Sequence, residues 1–244
     1  MLRFNGFLCL AFVLLSIQFA AAPGQAAQKT NAAAKYDRII ALYRDYVIHR
    51  NDDDAYDTLM AKLSHELHIG PNIHGDEKAY QLQCSSFELS FALRANTLGY
   101  AFRDLNNDGI LELFILLDDL TILAIYSLEK DLPVLVGAYW SRHRCALDKA
   151  GMLYISGSSG SQDSFSASYA LNGDNKLQLV EMLGIESYDA KTGKTFPKPR
   201  HYRMKNGNKS IIGKKEADAL WEKFQDVGRN NPTRDAGLTF TPLH

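Results

Sequence analysis

The sequence predicts an α+β fold, an antiparallel β meander of about eight or nine strands with N-terminal helices before it and one C-terminal helix after it. Three observations predict it. Before Gly99, apolar residues recur at helical spacing. After Gly99, runs of strand length alternate with turn residues, and beyond Gly213 the helical period returns. The turns are short, among them Asn107-Asp108-Gly109, Asp118-Asp119, Lys149-Ala150-Gly151 and Asn172-Gly173-Asp174-Asn175. Parallel strands need long crossovers, so turns this short predict antiparallel hairpins.

Residues 1–27 read as a secretory signal. Arg3 supplies a positive start, Phe7 to Phe19 is mostly apolar, and small residues follow, with Ala22 or Ala26/Ala27 ending an A-x-A-like cleavage site. The apolar run is shorter than the roughly 20 residues of a spanning helix, and no second long apolar run follows it. The chain is expected to be exported, to the periplasm or the medium, with no transmembrane segment once the signal is removed.

Residues 28–97 form an N-terminal helical region. Gln25 to Lys35 is Ala-, Gln- and Asn-rich and reads as a loose leader. Tyr36, Ile39, Ile40, Tyr43, Tyr46 and Val47 then mark an amphipathic helix ending near His49. Asn51 to Asp54 is an acidic turn able to cap a second helix, Ala55 to His68, which Gly70-Pro71 stops. A third helix is expected over Lys78 to Ala95.

Residues 98–228 form the β-rich domain. Strands are expected near Tyr100–Arg103, Ile110–Leu117, Thr121–Leu128, Val134–Trp140, His143–Leu147, Met152–Ser156, Phe165–Leu171 and Leu177–Ile185, with one more over His201–Lys205. Ile110–Leu117 is apolar on both alternations apart from Glu112, which predicts a central strand covered on both faces. Tyr188 to Arg200, with two prolines, reads as a loop. Ala217, Leu220, Trp221 and Phe224 fall at i, i+3, i+4 and i+7 and place a helix on the sheet. Residues 229–244 read as an irregular tail.

The net charge of −1 and the lack of a basic stripe exclude nucleic acid as a partner class. Of three cysteines, Cys9 lies in the signal, leaving Cys84 and Cys145. An even count in an exported chain permits one disulfide between them. Closing so long a loop would stabilise by about 2–4 kcal/mol.

The densest chemistry lies in Asp104-Leu105-Asn106-Asn107-Asp108-Gly109-Ile110-Leu111-Glu112. Ca²⁺ takes about 6–8 hard oxygen ligands. Asp104, Asn106 and Asp108 fall at the alternate positions from which a short loop wraps such an ion, and Gly109 permits the sharp turn. Ile110 would offer its backbone carbonyl, and Glu112 would bind directly or through water. The pattern follows the first nine positions of an EF-hand loop and departs at the twelfth, where Ile115 replaces the bidentate Glu. Its affinity is therefore expected in the weaker range of extracellular modules. A metal-free hairpin accounts for Asn107-Asp108-Gly109, but it explains two acidic residues on apolar strands, Asp104 and Glu112, less well.

The span Tyr100 to Leu117 resembles a family of exported bacterial proteins, many of them uncharacterised, whose approximate signature is Y-A-x-x-D-x-[DN]-x-D-G-x-x-E-L joined to a β-rich domain. The same loop occurs in FG-GAP and VCBS-type repeats. The likeness extends to about Phe224, through Ile125-Tyr126-Ser127, Trp140-Ser141-Arg142 and Gly157-Ser158-Ser159-Gly160. This chain carries one such loop and no tandem array. The resemblance implies calcium binding at Asp104, Asn106, Asp108, Ile110 and Glu112, and it implies no reaction.

Two further constellations stand out. Gly157 to Ser161 with His143 and Asp163 invites a hydrolase reading, but the G-x-S-x-G elbow between strand and helix is missing. Trp140, Arg142, His143 and Arg144 form a basic, aromatic corner that reads either as a solvated turn or as a ligand surface for an anionic or glycan ligand; the sequence leaves the partner unknown, with an envelope glycan or protein as the candidate classes. The sequence thus predicts an exported, non-catalytic domain with one Ca²⁺ loop and a structural or ligand-binding role. The alternatives are a periplasmic or secreted hydrolase and a glycan- or wall-binding module.

Overall fold

The computed structural model describes residues 23–70, 76–94, 96–158, 163–189, 192–229 and 232–244. Most of the expected signal, residues 1–22, lies outside the described residues, and so do Ser159, Gly160 and Ser161 of the serine-rich loop.

Three helices come first: α1 (Pro23–His49), α2 (Ala55–Glu66) and α3 (Glu77–Ala92). The expected loose leader, Gln25 to Lys35, is instead the first turns of α1. Its Ala and Gln residues are good helix formers, so the pattern downstream propagates back through them. Asp54 occupies the N-cap position of α2 but makes no side-chain cap bond. Asp76 caps α3, accepting from Lys78 N at 2.9 Å and Ala79 N at 3.3 Å.

Among the described residues, eleven strands follow in two antiparallel sheets, more than the eight or nine expected. The first sheet contains β1 (Leu98–Arg103), β2 (Glu112–Leu117), β3 (Ile122–Glu129), β4 (Leu132–Ala138) and β11 (Thr241–Pro242), in the order β11-β1-β2-β3-β4. The second contains β5 (His143–Leu147), β6 (Leu153–Ser158), β7 (Ser164–Leu171), β8 (Leu177–Tyr188), β9 (Thr195–Lys205) and β10 (Asn208–Ile212), each beside its sequence neighbour. Helix α4 (Lys214–Arg229) follows β10, and a 3₁₀ turn at Pro232–Asp235 precedes β11.

Every residue of β2 is buried, the apolar run 113–117 as its sequence predicts and Glu112 with it. Leu113, Ile115 and Leu117 face the three helices, where they meet Tyr36, Ile39 and Leu82. Phe114 and Leu116 face the second sheet, where they meet Leu147, Leu153 and Ile155. The first sheet is therefore the middle layer of three. The register between β2 and β3 shifts after Ile115, leaving Leu123 as an extra residue on β3. This bulge lets Leu123 and Ala124 both join the helix-side core.

The second sheet is held differently. Its outer strands β9 and β10 are largely exposed. The segment expected as a loop, Tyr188 to Arg200, supplies the end of β8 and half of β9. Its prolines and charges hid the strand, and the partner of Arg200 lies across the ladder. Glu186 pairs with Arg200 at 2.8 Å and also with Lys209. Helix α4 packs Ala217 and Phe224 against Leu183 of β8. Beside that contact, buried Glu181 accepts from Arg203 and, at 2.7 Å, from Lys223 of α4. Burial raises the Glu181 pKa, but hydrogen bonds and charge from Lys223 and Arg203 outweigh it and hold the group below its ordinary value.

Among its described residues, the expected irregular tail contributes the 3₁₀ turn and a short strand. The C-terminal strand pairs Pro242 with Gly99 and Thr241 with Tyr100. Gly99 leaves room for Phe240, whose ring would lie 2.4 Å from a Cβ at that position. Cys84 and Cys145 are both free thiols, so the two cysteines do not form the expected disulfide. They sit on separate elements, α3 and β5. Burial pushes the Cys145 thiol up to about 12, with the Tyr139 hydroxyl opposing, and a thiol so held is a poor nucleophile.

Because the Glu181 pKa is depressed on folding, its contribution to stability is present above its unfolded value and is lost as pH falls through the folded one. Glu181→Gln is expected to lose about 2 kcal/mol at pH 7, the scale of a hydrogen bond to a charged group. It should converge on wild type under acid conditions. Urea unfolding at several pH values checks both.

Candidate metal centre

The segment between β1 and β2, residues 104–111, lies where three layers meet. Two backbone positions make it turn: Asn107 at φ 59° and Gly109 at φ 87°, both in the left-handed region that Asn and Gly tolerate best. The acidic side chains then fold onto the loop's own N–H groups. Asp104 accepts from Asp108 N at 3.2 Å and from Gly109 N at 2.9 Å. Asp108 accepts from Ile110 N at 2.8 Å and from the Asn106 amide at 2.9 Å. Asn106 Oδ1 accepts from Asp108 N at 3.3 Å.

Glu112 begins β2 and has no solvent exposure. One carboxyl oxygen accepts from Leu105 N at 2.8 Å and the other from Ser127 Oγ at 3.0 Å. Burial raises its pKa to about 7, the Leu105 N–H and Ser127 hydroxyl oppose that rise, and the charges of Asp108 and Asp104 reinforce it. Asp104 and Glu112 therefore have roles in the hairpin without a metal, which answers the objection to a plain turn. Among the described residues, no three His, Cys, Asp or Glu side chains are already gathered as a metal cage.

The donor set nonetheless fits a hard cation. Three carboxylates, one amide oxygen and a backbone carbonyl are oxygen ligands of the kind Ca²⁺ takes. A carboxylate oxygen that accepts one N–H keeps further acceptor capacity. Among the described residues, no cationic side chain pairs with Asp104, Asp108 or Glu112. The neighbouring Arg103 donates instead to the carbonyls of Asp148, Lys149 and Ala236.

The loop is tied to every layer. On the helix side, Tyr36 of α1 donates to the Leu111 carbonyl at 3.0 Å. On the other side, Asn106 donates to the Asn172 carbonyl at 3.3 Å, and Asn175 Oδ1 lies 2.8 Å from Ser127 Oγ. These asparagines form the β7–β8 turn. The β5–β6 turn approaches through Gly151, where a Cβ would lie 2.7 Å from the Leu105 carbonyl and φ is 85°. The sequence marked the loop but not the partners Ser127, Asn172 and Asn175, which are ordinary turn and strand residues without local pattern.

The aromatic corner is divided. Trp140 and Arg144 line a cavity with Ser141. His143 is packed between Tyr139 and Trp140, with ring centroids 5.8 and 4.8 Å away. Burial lowers its pKa, against the pull of Glu77. Arg142 is exposed and lies outside the cavity lining. Asp163 accepts from the backbone and hydroxyl of Ser187 rather than pairing with His143, so these two residues of the hydrolase reading are not brought together.

No family model matches the chain, and no curated protein matches it. Among solved structures, one described as "Structure of a Xanthomonas Type IV Secretion System related protein" is similar at 17% identity and a TM-score of 0.27. The match covers 46% of this chain and spans 56% of that one, little more than half its length.

A carboxyl raised on folding stabilises below its unfolded pKa, and that contribution is lost as pH rises through the folded value, here about 7. In metal-free protein, Glu112→Gln is expected to melt near wild type at acid pH and above it on the alkaline side of neutrality. Parallel melting curves across that window would show that Glu112 does not carry the dependence.

Proposed function

We propose that residues 104–112 form a calcium loop that fastens the two sheets and the helical layer of an exported, non-catalytic domain. The supporting observation is the gathering of acidic oxygens without a cation: Asp104 and Asp108 fold onto the loop's own N–H groups beside the buried Glu112, and no cationic side chain among the described residues pairs with any of the three. Asp104, Asn106, Asp108 and the Ile110 carbonyl would hold the ion, with Glu112 as the inner carboxylate. A bound Ca²⁺ would supply two positive charges to these three acidic groups. The chain's own residues do the rest. Gly109 and Asn107 set the turn, Leu105 N–H and Ser127 hold Glu112, and Asn106 carries the loop to Asn172 of the second sheet. Export rests on the leader sequence. Among the described residues, no helix is long and apolar enough to cross a membrane.

A ligand that binds only the folded state stabilises by about 2.7 kcal/mol at a hundredfold excess over its Kd. For a chain of this size that is a rise in Tm of about 5–10 °C. Millimolar Ca²⁺ added to metal-stripped protein is expected to give such a rise, with Mg²⁺ giving less. Asp108→Asn, which keeps an acceptor for Ile110 N and removes the charge, should abolish it. An unchanged calcium response in Asp108→Asn, or none in wild type, would sink the assignment.

A further inference from the structure

The described residues line an open cavity of about 640 Å³ between α3, α4, the β2–β3 turn and strands β5 to β7. That volume lies inside the range of small-molecule sites, about 300–1,000 Å³. We infer that this cavity binds an amphipathic monocarboxylate, with the carboxylate on Arg144 and the apolar body between Trp140 and Trp221. The inference is independent of the calcium loop.

The polar side of the cavity is a single cross-strand row. Arg144 of β5 stands opposite Ser156 of β6, and Ser156 stands opposite Ser166 of β7. All three line the cavity. No hydrogen bond or ion pair among the described residues engages the Arg144 guanidinium or either hydroxyl. One guanidinium flanked by hydroxyl donors suits a planar anion, which Arg can grip with two parallel N–H bonds. Arg144 is the one cationic side chain among the lining residues and Glu88 the one acidic, so a single carboxylate gripped by Arg144 is the most negative charge the lining can answer.

The remaining walls are apolar. Trp140 and Trp221 are the chain's two tryptophans, and both line the cavity. Ile122 and Phe224 add aliphatic and aromatic surface. Leu120, which also lines it, sits at φ 67°, a conformation costly for a leucine. Glu88 on the α3 wall accepts from Ser141 Oγ at 3.0 Å and makes no ion pair with Arg144. Its charge opposes a second acidic group on the ligand. The chemistry selected is one carboxylate on a hydrophobic body.

Because both tryptophans face the cavity, their emission reports occupancy. Decanoate titrated into the mature wild-type chain is expected to change Trp emission saturably, with decan-1-ol, the same body without the charge, at least tenfold weaker. Arg144 is exposed, so Arg144→Ala should keep the wild-type circular dichroism and weaken decanoate at least tenfold while leaving decan-1-ol unchanged. The inference is overturned if decanoate gives no saturable change at millimolar concentration. It is equally overturned if decan-1-ol matches decanoate, or if Arg144→Ala binds decanoate as wild type does.

Discussion

The buried carboxyl of Glu112 holds the Leu105 N–H on one oxygen and the Ser127 hydroxyl on the other. These bonds draw the loop, the start of β2 and the middle of β3 onto one point. From there the contacts branch to Tyr36 on the helical side and to Asn172 and Asn175 on the second sheet. A fully buried acid costs several kcal/mol to ionise unless it is hydrogen-bonded or paired. Two donors offset only part of that cost, and the neighbouring Asp104 and Asp108 add to it. The geometry of the whole junction is thus coupled to the charge state of one side chain.

The two sheets solve their packing by opposite means. In the first, β2 and β3 bury apolar side chains on both faces, so dispersion and desolvation hold the layers. In the second, the outer strands bury little, and ion pairs centred on Glu181 and Glu186 connect β8 to β9, β10 and α4. Salt should therefore perturb the second sheet more than the first, since partly exposed charges are screened and apolar contacts are not.

What the sequence made legible follows the same division. Strand β2 could be read because both of its alternations are apolar, and α1 because Tyr36, Ile39, Ile40, Tyr43 and Tyr46 repeat at helical spacing. The first half of strand β9 could not, since a stretch with two prolines and Arg200 resembles a loop until the partner of Arg200, Glu186 on β8, is known. The split into two sheets was hidden because antiparallel hairpins look alike whether or not the next strand joins the same ladder. Asp104 to Glu112 announced itself through spacing, yet its connections to Asn172 and Asn175 are long-range and leave no local trace. The cysteine count permitted a bridge that the placement of Cys84 and Cys145 on separate elements does not make.

The pairing of β11 with β1 has a kinetic side. Leu243 N–H bonds the Leu98 carbonyl at 2.9 Å, and the whole second sheet lies between them in sequence. Until that late segment docks, Gly99 and Tyr100 present an unpaired edge of the kind that recruits foreign strands. Closing so distant a contact is slow compared with forming the hairpins around it. The middle layer is therefore nucleated early and sealed last, so the interval between the two is when the chain is most exposed to aggregation.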